Sequence, residues 1–356
     1  TLDSGKRLLA EVTLILVLFS DASHVRFNRL AKSWKIPVRM LIIGMPLTIL
    51  LGILVVFSLN PDSGLAMALL TAAVLTPTDA ALGQTVVSSP DVPEHLSQSI
   101  NVESGLNDGL VLPFVLLGAI LASVASTAHS TDGLALEAIL DITLGPLAGV
   151  IIGWSIASLM DWAKNHEYMD EAASGVVFLS ASFAAYTLAE LIGGNGFIAA
   201  FVGGMIFGNT YRHEIHFISE FMEGVGQLLT MSAFIMFGAF LLPDGLANAS
   251  MNSVIIAILF LTVVRILPIF ISLSGSGLVT QQKLFLGWFG PRGLASILFT
   301  MIIIDEFELP NEEELLACVS MTVGLSIILH GITAFPLTKF IASPLAQSQR
   351  PNDAAE

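Results

Sequence analysis

Charged residues and cysteine are both scarce in this chain of 356 residues. Only 12% of the residues are charged, against roughly a quarter in soluble domains, and 54% are hydrophobic. With a mean hydropathy of +0.81, these figures exclude an ordinary water-soluble globule. The single cysteine, Cys318, excludes an intrachain disulfide framework and any metal site built from several cysteines.

Basic residues are also few. The chain has 14 Lys and Arg residues against 29 Asp and Glu residues, so its formal net charge is -15. Nucleic-acid binding requires basic patches that replace counterions, and no nucleic-acid partner is therefore expected. His213 and His216 have a helical spacing, but their loop setting favours solvated side chains over zinc ligands. No cofactor is expected.

Long apolar stretches recur along the whole sequence. Eleven of them have 16 to 29 residues, which at about 1.5 Å per residue is about the length needed to cross a hydrocarbon core of roughly 30 Å. We predict an all-α polytopic membrane protein with one transmembrane domain at residues 1–343 and a short polar tail at 344–356. The predicted spans are 8–24, 37–59, 65–88, 96–124, 138–160, 172–192, 194–209, 217–242, 251–273, 281–304 and 315–338.

Lys and Arg residues fall on one side of the predicted membrane. The opposite loops, among them the acidic stretch from Asp305 to Glu314, contain none, and only Lys6 and Arg7 disagree. Because basic loops are retained in the cytoplasm during insertion, the first span should run inward and the C-terminus should be cytoplasmic. The basic residues on that side are Arg26, Arg29, Lys32, Lys35, Arg39, Lys164, Arg212, Lys283, Lys339 and Arg350.

Four ionisable residues, Asp79, Glu103, Asp108 and Arg292, fall inside apolar spans. A charge at the centre of a membrane helix costs about 2.5 to 3.5 kcal/mol on insertion scales, so each of them needs a reason. Counted from the ends of their spans, Asp79, Asp108 and Arg292 lie near the midplane. Glu103 and Arg292 have opposite charges at similar depth, which predicts a structural ion pair.

Two further charged residues are harder to assign. Arg265, midway through the ninth span, has no evident partner; Glu190 and Asp141 are candidates, and a structural role is favoured over a transport role. Asp21 lies towards the cytoplasmic end of the first span. Two roles are equally compatible with this position: a cation ligand at the mouth of a pathway, and an acid whose side chain reaches the membrane interface.

Two of the spans contain a proline beside a charged residue. Pro77 precedes Thr78 and Asp79 in the third span, and Pro291 precedes Arg292 in the tenth. Because proline removes a backbone donor and clashes with the preceding turn, we predict that both helices are interrupted there. The two spans run in opposite directions, so residues 37–124 and 251–338 are predicted to be inverted repeats that meet near the midplane, as in secondary transporters.

The fourth span contains polar side chains at helical spacing. Ser104 and Asp108 share one face, and Glu103 and Asn107 share a neighbouring face. A buried carboxylate with a hydroxyl one turn away suits either a monovalent cation or a proton. The alternatives are that Asp108 is a structural charge and that Asn107 is a packing amide.

Three functions are compatible with these residues. The first is exchange of a cation for a proton at Asp108, and the second is a cation channel lined by the same acids. The third is an intramembrane hydrolase with Asp79 and Asp108 as an aspartyl dyad. The repeated interruption favours exchange, since peptide cleavage requires neither Arg292 nor an inverted repeat.

At these residues the chain resembles the cation:proton antiporter-1 family, which includes the sodium/proton exchangers and the NhaP-type bacterial antiporters. The Asn-Asp pair with an upstream Glu, one helix after a Thr-Asp interruption, is the most specific part of the resemblance. The matching pieces are Leu18 to Ala22, Thr76 to Gly83, Glu103 to Gly109, Gly193 to Ala199, Gly290 to Gly293 and His330 to Thr333.

The resemblance implies a homodimer of thirteen-helix protomers in the lipid bilayer, in which a six-helix core moves relative to a dimerisation part. It implies a cation and proton site formed by Asp108, Ser104, Thr78 and the backbone near Asp79, with Asp21 as a further acid. The substrates would be H+ and a monovalent cation, Na+ first, with K+ or Li+ as alternatives.

Two other residue roles come with the resemblance. Asn107 indicates the electroneutral branch, in which one cation exchanges for one proton. Glu103 and Arg292 would form the family's structural ion pair.

The chain also departs from the family pattern. Eleven predicted spans stand where thirteen are expected, and the chain begins with Thr1 rather than Met, so we expect that two N-terminal helices are missing from this sequence. Many members have Pro directly after the Thr-Asp pair, whereas here Ala80 follows it and Pro77 precedes it. The resemblance and the short tail point to a multi-pass protein of a bacterial inner membrane.

Overall fold

The structure, a computed structural model, describes residues 2–25, 34–79, 82, 83, 86, 89, 92–127, 134–213 and 216–348. Over these residues the chain is helical, without β-strands. Its main helices are α1 Leu2–Ser23, α2 Lys35–Leu59, α3 Gly64–Val74, α4 Glu94–Thr127, α5 Leu134–Asn165, α6 Glu171–Leu191, α7 Gly196–Thr210, α8 His216–Met236, α9 Met251–Leu261, α10 Val263–Ser272, α11 Thr280–Trp288, α12 Leu294–Glu306 and α13 Glu312–Ser348.

Every predicted span contains helix, but the helices differ in length and continuity. Within the described ranges, seven are long and apolar enough to cross a membrane, and Pro61–Val74 and Gly196–Thr210 are shorter apolar helices. Helix α8 continues through a π turn at Phe237–Leu241 into a short helix, Leu242–Ala247. The predicted tail is partly helical, because α13 continues to Ser348; residues 349–356 lie outside the described part, as do Arg26, Arg29 and Lys32.

Helix α1 begins six residues before the predicted span, at Leu2 rather than at residue 8. Its polar first turns are stabilised by ion pairs. The Arg7 Nε lies 2.6 Å from Glu11 Oε1 one turn along, and the Arg7 Nη1 lies 2.7 Å from Asp305 Oδ2 at the end of α12. A hydropathy pattern cannot report such contacts, so the sequence places the helix start too late.

Small residues allow α7 to pack closely against α1 and α5. A Cβ atom on Gly204 would lie 2.1 Å from the Phe19 carbonyl oxygen in α1, and one on Gly153 would lie 2.3 Å from the Gly203 carbonyl oxygen. Such contacts between small residues bring helix backbones together in membranes. The Phe19 ring also packs edge-on against Phe178 of α6, with ring centroids 4.9 Å apart.

Gly204→Ala is expected to destabilise the protein, because the new methyl group would overlap the backbone of α1. Overpacking costs about 1 to 3 kcal/mol, so the melting temperature in detergent should fall clearly. Gly224→Ala is the matched control, since a Cβ at Gly224 in α8 meets no atom within 4 Å. Equal melting temperatures for the two variants would contradict the close packing of α1 and α7.

A kink separates α9 from α10. The backbone leaves the helical region at Thr262, with φ -117° and ψ -92°, and α10 begins at the next residue. The kink orients the start of α10 so that Arg265 reaches α4, where it meets Glu103. It thus places a buried charge beside the polar part of α4.

Candidate ion site at two interrupted helices

Both predicted interruptions are present, and they are in direct contact. Helix α3 ends at Val74 and the chain is non-helical from Thr76 to Asp79. Helix α11 ends at Trp288 and α12 begins at Leu294. The Asp79 backbone N–H donates to the Pro291 carbonyl oxygen at 2.8 Å, which joins one interruption to the other.

Each interruption also supplies a charge to a helix end in the other. The Leu294 N–H, in the first turn of α12, donates to Asp79 Oδ2 at 2.8 Å. The Arg292 Nη1 donates to the carbonyl oxygens of Thr76 and Pro77, just beyond the C-terminus of α3, the second at 3.0 Å. A negative charge at a helix N-terminus and a positive charge at a C-terminus offset the helix dipoles. The Asp79 and Arg292 side chains therefore stabilise the place where the two interruptions meet, which we call the crossing.

Gly293 is required at this crossing for a steric reason. A Cβ atom there would lie 2.2 Å from Asp79 Oδ2. Any side chain at Gly293 would therefore push the Asp79 carboxylate away from the start of α12.

The predicted ion pair between Glu103 and Arg292 is wrong. Glu103 pairs with Arg265, whose Nη1 and Nη2 lie 2.5 and 2.7 Å from the two carboxylate oxygens. Both side chains are almost fully buried, with 3% and 4% of their surface exposed. The two arginines lie at similar depth, and depth alone does not tell which of them faces α4. Neither earlier candidate is the partner found for Arg265: the Glu190 carboxylate accepts from the Gly196 N–H, and the Asp141 side chain lies outside the described part.

The polar face of α4 meets the first interruption at Thr78. The Ser104 hydroxyl donates to the Thr78 carbonyl oxygen at 2.5 Å, and the Asn107 Nδ2 donates to Thr78 Oγ1 at 2.6 Å. Ser104, Asn107 and Thr78 are all buried. The structure therefore brings together three of the predicted site residues, two from α4 and one from the first interruption.

Two oxygen atoms beside this contact are buried and unpaired. Among the described residues, neither Asn107 Oδ1 nor Asp108 Oδ1 has a hydrogen-bond partner. Buried oxygen atoms without a donor are costly, and a carboxylate oxygen especially so. A proton or a cation would satisfy them, which makes Asp108 and Asn107 the centre of the candidate site.

Asp21 and Asp79 lie near Asp108 on two other elements. Asp21 is exposed, and its carbonyl oxygen would lie 3.7 Å from a Cβ on Gly105, one turn before Asp108. Both Asp21 and Asp79 are close enough to interact electrostatically with Asp108. Asp79, however, already bonds to backbone N–H groups, so its carboxylate serves the crossing as well as the site.

Sequence reasoning missed the contacts that α13 makes with the second interruption. The Ser326 hydroxyl accepts from the Arg292 N–H at 2.7 Å, and His330 bonds to the Trp288 carbonyl oxygen at 2.9 Å. Ser326 lies in an apolar span without any charge nearby in sequence. His330 was part of a matching piece, but nothing in its spacing indicated what it contacts.

The fold and the site together define a polytopic helical membrane protein with two interrupted helices in contact. The chain belongs to the sodium/hydrogen exchanger family, because the family described as "Sodium/hydrogen exchanger, transmembrane" matches residues 5–340. The predicted resemblance to the cation:proton antiporters is thereby confirmed. Two of its curated relatives are named as antiporters, that is, transporters rather than enzymes.

Relatives of known name include antiporters for two different cations. The chain is 26% identical over 343 residues to the Na(+)/H(+) antiporter ApNhaP of Aphanothece halophytica, covering 92% of this chain and 63% of that protein. It is 26% identical over 235 residues to the K(+)/H(+) antiporter NhaP2 of Shewanella oneidensis, covering 65% of this chain and 40% of that protein. The chain thus spans less than two thirds of the length of either relative.

A solved structure has the same fold. The sodium proton antiporter MjNhaP1 of Methanocaldococcus jannaschii at pH 8 superposes with a TM-score of 0.76 at 20% identity, over 94% of this chain and 85% of that one. At 20% identity the similarity establishes the fold but does not identify the substrate.

Proposed function

We propose that this chain exchanges one monovalent cation for one proton, with both substrates competing for Asp108. The observation that carries the proposal is the pair of buried, unpaired oxygen atoms on Asn107 and Asp108, next to the hydroxyl groups of Ser104 and Thr78. One carboxylate surrounded by neutral oxygen ligands suits a cation of single charge. The names of the relatives support Na+ first, with K+ as the alternative; Li+ remains the third candidate.

The charge at the site supports an electroneutral exchange. Asn107 is neutral and its Nδ2 is committed to Thr78, so it does not add a second proton-binding group. Asp79 is bonded to the N-terminus of α12, and Glu103 is paired with Arg265. In this proposal Asp21 serves only as an entry ligand, so Asp108 is the group that carries either one proton or one cation, which gives a ratio of one to one.

Alternating access would expose this site to each side of the membrane in turn. Asp21, exposed at the end of α1, would accept the cation at the cytoplasmic mouth and pass it to Asp108. The proposal includes inverted repeats at 37–124 and 251–338, eleven membrane spans and a cytoplasmic C-terminus. It also includes a homodimer of the full-length protein in a bacterial inner membrane. The positive charge of one set of loops supports the orientation, and the contact between the two interruptions supports the inverted repeats.

The proposed competition predicts how the rate depends on pH. Protonation of Asp108 should exclude the cation, so the apparent KM for the cation should rise as the pH falls, by up to about tenfold per pH unit once the proton form predominates. At alkaline pH the supply of protons should limit the rate. Initial rates at graded Na+ concentrations in proteoliposomes measure this; an apparent KM independent of pH would contradict the competition.

Acridine orange fluorescence in everted vesicles from an antiporter-deficient host tests the function itself. After a proton gradient is established, adding Na+, Li+ or K+ between pH 6 and 9 should restore the fluorescence with at least one of them. A response to none of the three, with the protein folded and inserted, would refute the exchange. Cation flux that follows the membrane voltage without proton movement would favour the channel.

A further inference from the structure

An ion pair joins the beginning of α1 to the end of α12. The Arg7 Nη1 lies 2.7 Å from Asp305 Oδ2, and the Arg7 Nε lies 2.6 Å from Glu11 Oε1 on its own helix. The Arg7 and Asp305 side chains are 41% and 40% exposed. The contact therefore lies at the surface of the protein, where water can replace either partner.

The two partners belong to different parts of the proposed transporter. Asp305 lies within the repeat at 251–338, whereas Arg7 precedes the repeat at 37–124 and lies outside both. In secondary transporters, one bundle of helices moves against another around the site. If the two repeats form the moving bundle, the ion pair crosses the boundary along which the protein moves.

Apolar side chains close the contact between α1 and α12 next to this ion pair. Ala10 and Leu14 follow Arg7 on one face of α1, at intervals of three and four residues. Both are almost fully buried, with 1% of their surface exposed, and α1 packs against α12. Ile302, one turn before Asp305 in α12, is buried as well.

The same face of α1 is open at its other end. Asp21 follows Leu14 by seven residues, which is about two helical turns, and it is exposed. The distribution of basic loops predicts that the Asp21 end is cytoplasmic and that the Arg7 end faces outwards. This face is therefore covered at the predicted outer end and accessible at the predicted inner end.

We infer that Arg7 and Asp305 form an outer latch. They hold the outer ends of α1 and α12 together while the site is open to the cytoplasm, and they separate each time the site opens to the outside. The inference rests on the alternating access of the proposed function. An exposed ion pair changes an equilibrium by up to about fivefold, so this one favours the closed outer end and still releases it within a transport cycle. A buried pair such as Glu103 and Arg265 would be too costly to break at every turnover.

Cross-linking tests whether the two helix ends have to separate. In Arg7→Cys/Asp305→Cys, a short bis-methanethiosulfonate reagent should join the two thiol groups in the purified protein, and dithiothreitol should release them. Exchange by the reconstituted, cross-linked protein should fall to the level of the molecules that escaped the reagent, and reduction should restore it. A cross-linked protein that exchanges as fast as its reduced form would refute the latch, and failure of the thiol groups to cross-link would contradict the contact itself.

Ser63→Cys/Glu314→Cys is the matched control, because both of its positions lie within the proposed repeats. The Ser63 hydroxyl donates to Glu314 Oε2 at 2.8 Å, between the turn before α3 and the first turn of α13. Its cross-linked form should exchange as fast as its reduced form. Loss of exchange in both cross-linked pairs would refute the latch, since separation of α1 from α12 would not be the step that was blocked. The parent protein, whose Cys318 is buried, controls for the reagent.

Asp305→Asn tests the ion pair without a cross-link. Loss of this charge should favour the open outer end by up to about fivefold, so a cysteine at the buried position Leu14 should react with a maleimide faster by the same factor. Glu313→Gln removes an exposed acid in the first turn of α13 and should leave the labelling rate unchanged. Equal labelling rates in the two backgrounds would contradict the inference.

The outcomes distinguish the latch from the proposed function. If the parent protein shows no cation-driven proton movement, the proposed function fails, and the latch fails with it as a step of transport. If the parent exchanges and the cross-linked Arg7→Cys/Asp305→Cys exchanges equally well, the exchange stands and only the latch is refuted.

Discussion

Asp108→Asn is expected to reduce cation-driven proton movement to the background of vesicles without the protein. The amide has nearly the shape of the carboxyl group, but it carries no negative charge that binds a cation and it does not gain or lose a proton in this pH range. Asp79 is bonded to the start of α12 and Glu103 is paired with Arg265, so neither of these carboxylates is expected to take over this role. Acridine orange dequenching with Na+, Li+ and K+ measures the loss.

Asp62→Asn is the matched control for this prediction. Asp62 is exposed in the short turn before α3, away from the crossing, and the same change of charge there should leave exchange intact. Both variants should elute as folded protein. Full exchange by Asp108→Asn would show that the substrates do not share this carboxylate.

Glu103→Gln is expected to have the largest effect on stability. It would leave the Arg265 guanidinium in a site where only about 4% of its surface is exposed, without its negative partner. Removing one member of a buried ion pair costs about 3 to 5 kcal/mol, so the melting temperature should fall strongly. Glu94→Gln, which changes an exposed residue in the first turn of the same helix, should change it little.

A double-mutant cycle identifies the partner of Glu103. Combining Glu103→Gln with Arg265→Gln should cost less than the sum of the single changes, with an interaction energy of about 0.5 to 3 kcal/mol. Combining it with Arg292→Gln should be closer to additive, because Arg292 bonds to backbone carbonyl oxygens instead. Additive costs for Glu103 and Arg265, together with an interaction energy between Glu103 and Arg292, would support the pair predicted from the sequence instead.

The sequence was sufficient to locate the helices and their two interruptions. Long apolar runs predict membrane helices because a helix is the conformation in which a single segment makes all of its backbone hydrogen bonds within itself in lipid. Pro77 and Pro291 identify the interruptions because proline acts locally. The start of α1 was misplaced, since Arg7 is stabilised by contacts that no hydropathy pattern contains.

The sequence alone could not predict which side chains pair with each other at the crossing. Residue depth follows from counting along a helix, but the direction of a side chain also depends on how that helix is rotated and kinked. The kink at Thr262 turns Arg265 towards Glu103, and the non-helical segment at Gly290 to Gly293 takes Arg292 to Thr76. Spacing within α4 was more informative, because Ser104 and Asn107 both meet Thr78.

The release of protons on cation binding tests the central claim most directly. Na+ or K+ is added to the purified protein in weakly buffered detergent solution with a pH indicator, from pH 6 to 9, and Asp108→Asn is treated in the same way. If cation and proton share Asp108, binding should release up to one proton per protein when Asp108 is protonated, progressively fewer at higher pH, and none in Asp108→Asn. Equal proton release by the variant, or cation binding by the parent without any release across this range, would contradict the account.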